Sequence, residues 1–102
     1  MKLFIDTSDR EKIIVGIDEK RFESKAKEQS SQKLLPFIDE VLKKEEKTVK
    51  DITGIEVNTG PGSFTGLRVG VSVANALGWV LDIPVNGKNL RKGDTVDIEY
   101  SQ

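Results

Sequence analysis

Apolar and polar positions alternate in two distinct rhythms along the chain. Leu3-Phe4-Ile5 is a short apolar run that stops at Asp6-Thr7-Ser8-Asp9, a cluster of turn-forming polar residues. Residues 12–17 are rich in β-branched side chains (Ile13, Ile14, Val15, Ile17) and read as a second strand. Asp18-Glu19-Lys20 suits a turn, and Arg21-Phe22-Glu23-Ser24 suits a weaker third strand at a sheet edge. From Ser30 the period becomes helical. Leu34, Leu35, Phe37, Ile38, Val41 and Leu42 follow 3.6 spacing, with Asp39, Glu40, Lys43, Lys44 and Glu46 on the other side. Pro36 is awkward inside a helix and is tolerable if the regular part begins a turn earlier or at Leu35. After a polar connection over residues 48–53, Gly54-Ile55-Glu56-Val57-Asn58 alternates as a strand.

Thr59-Gly60-Pro61-Gly62 is a sharp strand-to-helix turn, with Ser63 or Thr65 placed to cap a second helix. That helix, residues 64–81, is apolar in every direction around its axis, which requires burial all round. One sheet covers one face only, so the other face wants a partner. Gly66, Gly70, Ala74 and Gly78 recur every four residues as a stripe that permits close backbone approach. That stripe either packs on the domain's own sheet and first helix or forms an interface with a second chain. Leu34, Leu35, Ile38, Val41 and Leu42, with Gly66, Gly70, Val73, Ala74 and Leu77, are therefore the residues expected to divide between sheet packing and a partner interface. Ile83-Pro84-Val85 suits a short strand, and residues 95–100 alternate (Val96, Ile98, Tyr100) as a terminal one. The result is α/β: a mixed sheet of about five strands with two main helices, in the order β-β-β-α-β-α-β.

Composition narrows the chemistry. A chain of 102 residues holds one domain and one modest core. Sixteen basic against seventeen acidic residues leave a net charge of −1, which gives no electrostatic case for a nucleic-acid or membrane surface. With no cysteine and no histidine, disulfides, thiol nucleophiles, Ser-His pairs and His- or Cys-based metal sites are excluded. Asp6 interrupts the first apolar run too early for a signal peptide, and Arg68, Asn75 and Asp82 break the longest one, so no membrane span and a cytoplasmic location are expected. Gly60 to Gly66 comes after a strand and opens a helix, where amides and helix dipole can hold a phosphate. It lacks the lysine of a P-loop and the spacing of a dinucleotide fingerprint. Asp6, Thr7, Gly60, Gly62, Ser63 and Arg68 are the candidate phosphate ligands, set against a tight turn with close helix packing.

The run Asn58-Thr59-Gly60-Pro61-Gly62-Ser63-Phe64-Thr65-Gly66-Leu67-Arg68-Val69-Gly70 resembles the signature of the TsaB (YeaZ-like) family. Leu3-Phe4-Ile5-Asp6-Thr7-Ser8 resembles that family's opening strand, and Ser31-Gln32-Lys33-Leu34-Leu35-Pro36 its first helix start. Ser30 stands where the family has histidine. The resemblance spans roughly residues 2–87 and implies an actin-like, RNase H-like (ASKHA) lobe over residues 1–87, followed by a divergent tail over residues 88–102. The family chain is about twice as long, so a one-lobe or truncated member is expected. The resemblance further implies a non-catalytic partner of the TsaD ligase in making threonylcarbamoyladenosine in tRNA. Such a partner docks through the two helices of this lobe, self-associates by the same surface, works alongside the TsaE ATPase, and meets tRNA only indirectly. No cofactor, catalytic residue or metal is expected. The alternatives are a remnant nucleotide-binding half of an actin-like ATPase or sugar kinase, and a homodimer without a ligase partner.

Overall fold

The computed structural model describes residues 1–99. Three strands open the chain: β1 (Lys2–Asp6), β2 (Lys12–Ile17) and β3 (Lys20–Lys25). Helix α1 (Ser30–Lys44) comes next, then β4 (Gly54–Val57) and helix α2 (Phe64–Leu81), with single 3-10 turns at Val49–Asp51 and Leu90–Lys92. The strands form one sheet in the order β3-β2-β1-β4. The β1–β2 and β2–β3 pairs are antiparallel, and β1–β4 is parallel. Leu3 sits opposite Ile17 and Ile55, and Ile5 opposite Val15 and Val57, so one face of the sheet is continuously apolar. A one-residue slip would turn that entire set to solvent, which is why this register holds.

Both helices cover that face. Helix α1 lies on β2, α2 lies on β1 and β4, and the helices touch each other. Leu34, Phe37, Ile38, Val41 and Leu42 from α1 and Leu67, Val71 and Ala74 from α2 join the sheet residues in one core. The opposite sheet face carries Phe4 under the Arg21 guanidinium (4.3 Å), with exposed ion pairs Lys2–Glu56 and Lys12–Glu23 beside it. Pro36 sits in the interior of α1, which starts at Ser30 and continues through it. Helix α2 is long and apolar enough to cross a membrane, but here it is the helix whose inner side packs on the sheet.

The sheet has four strands rather than about five. Val85 makes a single parallel bridge to Ile55, and the ladder is prolonged by a side chain. Asn86 accepts from the Val57 N–H through Oδ1 (2.8 Å) and donates to the Val57 carbonyl through Nδ2 (3.1 Å). Residues 95–99 are irregular where a terminal strand was expected, and Tyr100 lies outside the described residues. The outer edge of β4 is already occupied by residues 84–86, so the alternation of Val96 and Ile98 is satisfied elsewhere. Both are buried, at the side of α2, where Asn75 Nδ2 donates to the Val96 carbonyl at 2.9 Å. The Glu99 N–H reaches back to the Thr59 carbonyl at 2.9 Å.

The connection into β4 is held by a reciprocal cap. The Thr48 N–H donates to Asp51 Oδ2 (2.8 Å) and the Asp51 N–H to the Thr48 carbonyl (3.0 Å). The Thr48 backbone donor, followed by the charge of Lys47, holds the Asp51 carboxyl below the usual carboxylate range. A depressed folded-state pKa stabilises the protein above the unfolded pKa of about 3.9, and that contribution is lost as pH falls through the folded value. Urea unfolding of Asp51→Asn and the parent chain is expected to show a constant stability gap from pH 5 to 7. That gap narrows below pH 4; a gap indifferent to acid would rule out the linkage.

Candidate functional site

The end of β1 and the start of α2 meet through Thr7, which is fully buried. Its hydroxyl donates to the Gly66 carbonyl at 2.5 Å and accepts from the Gly70 N–H at 3.1 Å. These are the groups that an ordinary i to i−4 helix bond would join, so the strand end is inserted at the first turns of the helix. Such closeness depends on glycine. A Cβ on Gly66 would collide with the Thr7 carbonyl oxygen, and one on Gly70 would stand 2.5 Å from Thr7 Oγ1. Gly62, whose own Cβ would strike Ser8, lets the turn close on β1, and the Ser63 N–H donates to the Ser8 carbonyl at 2.7 Å. The Ser63 hydroxyl caps α2 by accepting from the Gly66 N–H at 3.4 Å.

The candidate phosphate ligands separate in this geometry. Asp6, Thr7, Gly60, Gly62 and Ser63 lie around the joint, and Asp6, Thr7, Gly60 and Ser63 are hydrogen-bonded there to Ser8, Asn58, Gly66 and Gly70. Asp6 Oδ1 accepts from the Ser8 N–H (2.9 Å) and from Asn58 Nδ2 (3.2 Å), and the Gly60 N–H donates to Asn58 Oδ1 (3.0 Å). Arg68 lies away from this set, exposed and over the Phe64 ring at 5.5 Å. The arrangement fastens a helix to a strand. Among the described residues no group of three or more acidic side chains is placed to hold a metal ion. Asn58 was not singled out from sequence, although an Asn directly after a strand and two residues before a glycine is a familiar turn-forming signal.

The interface candidates also divide. Leu34, Ile38, Val41, Leu42, Gly66, Gly70 and Ala74 are buried inside the domain and so fall on the packing side of the division expected for them. The small-residue stripe packs inward against Thr7, Ile5, Val57 and Val85. Val73 and Leu77 are half-buried against the core, and Leu35 is 56% exposed. Three outward residues were missed: Phe64 (48% exposed), Trp79 (55%) and Val80 (69%). On the helical wheel Trp79 lies roughly opposite the stripe of small residues, but an all-apolar helix does not show in sequence which side faces the sheet. Arg91 fixes this end of α2 by donating from Nε to the Trp79 carbonyl (2.8 Å) and from Nη2 to the Val80 carbonyl (3.2 Å).

Residues 23–89, which contain α1, β4, the glycine turn and α2, match the family described as TsaD, tRNA N6-adenosine threonylcarbamoyltransferase. The chain is 33% identical over 78 residues to the tRNA threonylcarbamoyladenosine biosynthesis protein TsaB of Buchnera aphidicola subsp. Schizaphis graminum, covering 76% of this chain and 35% of that one. It is 38% identical over 60 residues to the Bacillus subtilis protein of the same name, covering 59% and 26% respectively. The structure of YeaZ from Pseudomonas aeruginosa superposes with a TM-score of 0.72 at 25% identity, over 82% of this chain and 41% of that one. The chain thus spans between about a quarter and two-fifths of the length of these relatives. Its four-stranded sheet and two helices are an actin-like, RNase H-like lobe. By sequence and by fold the chain belongs to the TsaD family, as a TsaB (YeaZ-like) member.

Proposed function

We propose that this lobe is a non-catalytic docking partner of a TsaD-type ligase in the synthesis of threonylcarbamoyladenosine in tRNA, acting in the cytoplasm. The observation that carries the reading is the outer side of the helical layer. Leu35 on α1 and Phe64, Trp79 and Val80 on α2 are large apolar side chains, each at least 48% exposed. These side chains are apolar surface that the lobe offers a partner, and Trp is enriched among the residues that dominate protein–protein contacts. Leu35, Val73 and Leu77 remain from the residues expected at an interface, with Phe64, Trp79 and Val80 added. A non-catalytic role is supported by the engagement of Thr7 and Ser63 in fastening α2 and of Asp6 in the turn after β1, and by a sequence without Cys or His. Residues 1–87 supply the docking lobe in this reading, and residues 88–99 brace α2 from the side. Contact with tRNA and with a TsaE-type ATPase is made through the ligase.

The test is the mass in solution of the chain alone and mixed with the TsaD ligase of the same organism. A one-to-one complex, with the isolated chain monomeric or weakly dimeric, is expected. A tight homodimer indifferent to the ligase would overturn the proposal, leaving the same helices to pair two copies.

A further inference from the structure

The Asn75 amide, on the side of α2 that meets residues 95–99, is only half used. Nδ2 donates to the Val96 carbonyl at 2.9 Å, whereas Oδ1 is buried with no hydrogen-bond partner among the described residues. Buried side-chain acceptors ordinarily have one. Asn86 shows in the same molecule what such an amide suits. It spends both ends on one strand residue, accepting from the Val57 N–H and donating to the Val57 carbonyl. An extended residue offers those two groups on one side, as in a hydrogen-bonded strand pair. Residues 95–99 are irregular, and of Val96 the Asn75 amide engages the carbonyl alone. The segment is held by the buried side chains of Val96 and Ile98 and by few polar contacts. The Glu99 N–H reaches the Thr59 carbonyl at 2.9 Å, and Lys88 Nζ stands 3.5 Å from the Thr95 carbonyl. An open cleft of about 220 Å³ remains beside it, lined in part by Arg68, Ser72, Asn75 and Asp97.

We propose that the side of α2 around Asn75 is a groove for an extended segment of a partner polypeptide, and that residues 95–99 fill it in cis until that segment displaces them. The segment carries two apolar side chains two residues apart, in the places of Val96 and Ile98, because alternate side chains of an extended chain point to one side. Its residue at Asn75 donates its N–H to Oδ1 and accepts from Nδ2 on its carbonyl, completing the pair that Val96 makes by half. Main-chain bonds of this kind supply affinity, and the alternate side chains supply selectivity. The groove continues into the exposed side of the helix, since Trp79 lies one turn beyond Asn75.

The test is an NMR titration of the full chain with a synthetic peptide Gly-Asp-Thr-Val-Asp-Ile-Glu, the sequence of residues 93–99 without its tether. Saturable shifts are expected at the Asn75 side-chain amide and along residues 67–75. Ile98→Asp loosens the segment in cis and is expected to bind the peptide at least tenfold more tightly than the parent chain, because a tethered competitor acts at an effective concentration in the millimolar range. Unchanged amide shifts in the sheet show that this variant is folded. Asn75→Leu decides the matter if it is not. That change costs the cis segment one bond and removes an unpaired acceptor with it, so the unfolding midpoint stays in place. The peptide loses two bonds and is expected to bind about tenfold more weakly. Shifts that do not saturate, equal binding of a peptide with Ser at both apolar positions, equal affinity of the parent chain and a folded Ile98→Asp, or undiminished binding by Asn75→Leu would each overturn the proposal. Docking to a ligase is read by a separate measurement, so either conclusion can fail without the other.

Discussion

Gly66→Ala is expected to lower the unfolding free energy by about 3 kcal/mol or more, a large share of the 5–15 kcal/mol that a domain of this size commonly has. The added methyl has nowhere to go, because the atom it meets is the backbone oxygen of Thr7, the buried residue that directly follows β1. Relief requires the helix to move away from the strand. Movement breaks the bond from the Thr7 hydroxyl to the Gly66 carbonyl and exposes a fully buried threonine. Gly78→Ala is the informative comparison. Its methyl meets chiefly the side chain of Val85, with the Ile83 carbonyl oxygen at 3.2 Å, and a side chain yields more readily than a strand backbone. The smaller loss therefore belongs to Gly78. Denaturant midpoints of the two variants decide the matter, and equal losses would show that the Thr7 joint is no tighter than ordinary helix packing.

Replacing Trp79 by Asp is expected to abolish ligase binding at micromolar concentrations. A buried aromatic anchor contributes about 2–4 kcal/mol to an interface, at least thirtyfold in Kd, and a carboxylate in its place must be desolvated without a partner. Folding should survive, because the Trp79 side chain is 55% exposed and its structural role is played by the backbone carbonyl that accepts from Arg91. Surface changes of this kind usually alter stability by no more than about 0.5 kcal/mol. Leu35→Asp examines α1 in the same way. Loss of the complex with an unshifted unfolding midpoint supports docking through the outer side of the helices. A complex that survives both substitutions would place the partner elsewhere.

The elements themselves were legible in the chain. The β-branched run in residues 12–17, the alternation in residues 54–57, the 3.6 period from Leu34 to Leu42, and the glycine-rich turn before a long apolar helix are local features, which a single sequence displays directly. The resemblance of residues 58–70 to a known signature supplied the family for the same reason, since a backbone that must approach closely restricts residue choice at fixed spacing. Direction was another matter. An all-apolar α2 leaves several ways for it to face, and only packing shows that Gly66, Gly70, Ala74 and Gly78 turn to β1, β4 and Val85 while Trp79 and Val80 turn out. The alternation of Val96 and Ile98 has the period of a strand, but the edge it would have joined is occupied by Asn86, which imitates a strand residue with its side-chain amide. The sequence by itself determined which segments are regular and which family they belong to, because those properties rest on neighbours a few residues apart. Which apolar surface is core and which is left for a partner was decided only by the tertiary structure, because that choice depends on contacts such as Thr7 with Gly66 and Gly70, about sixty residues apart.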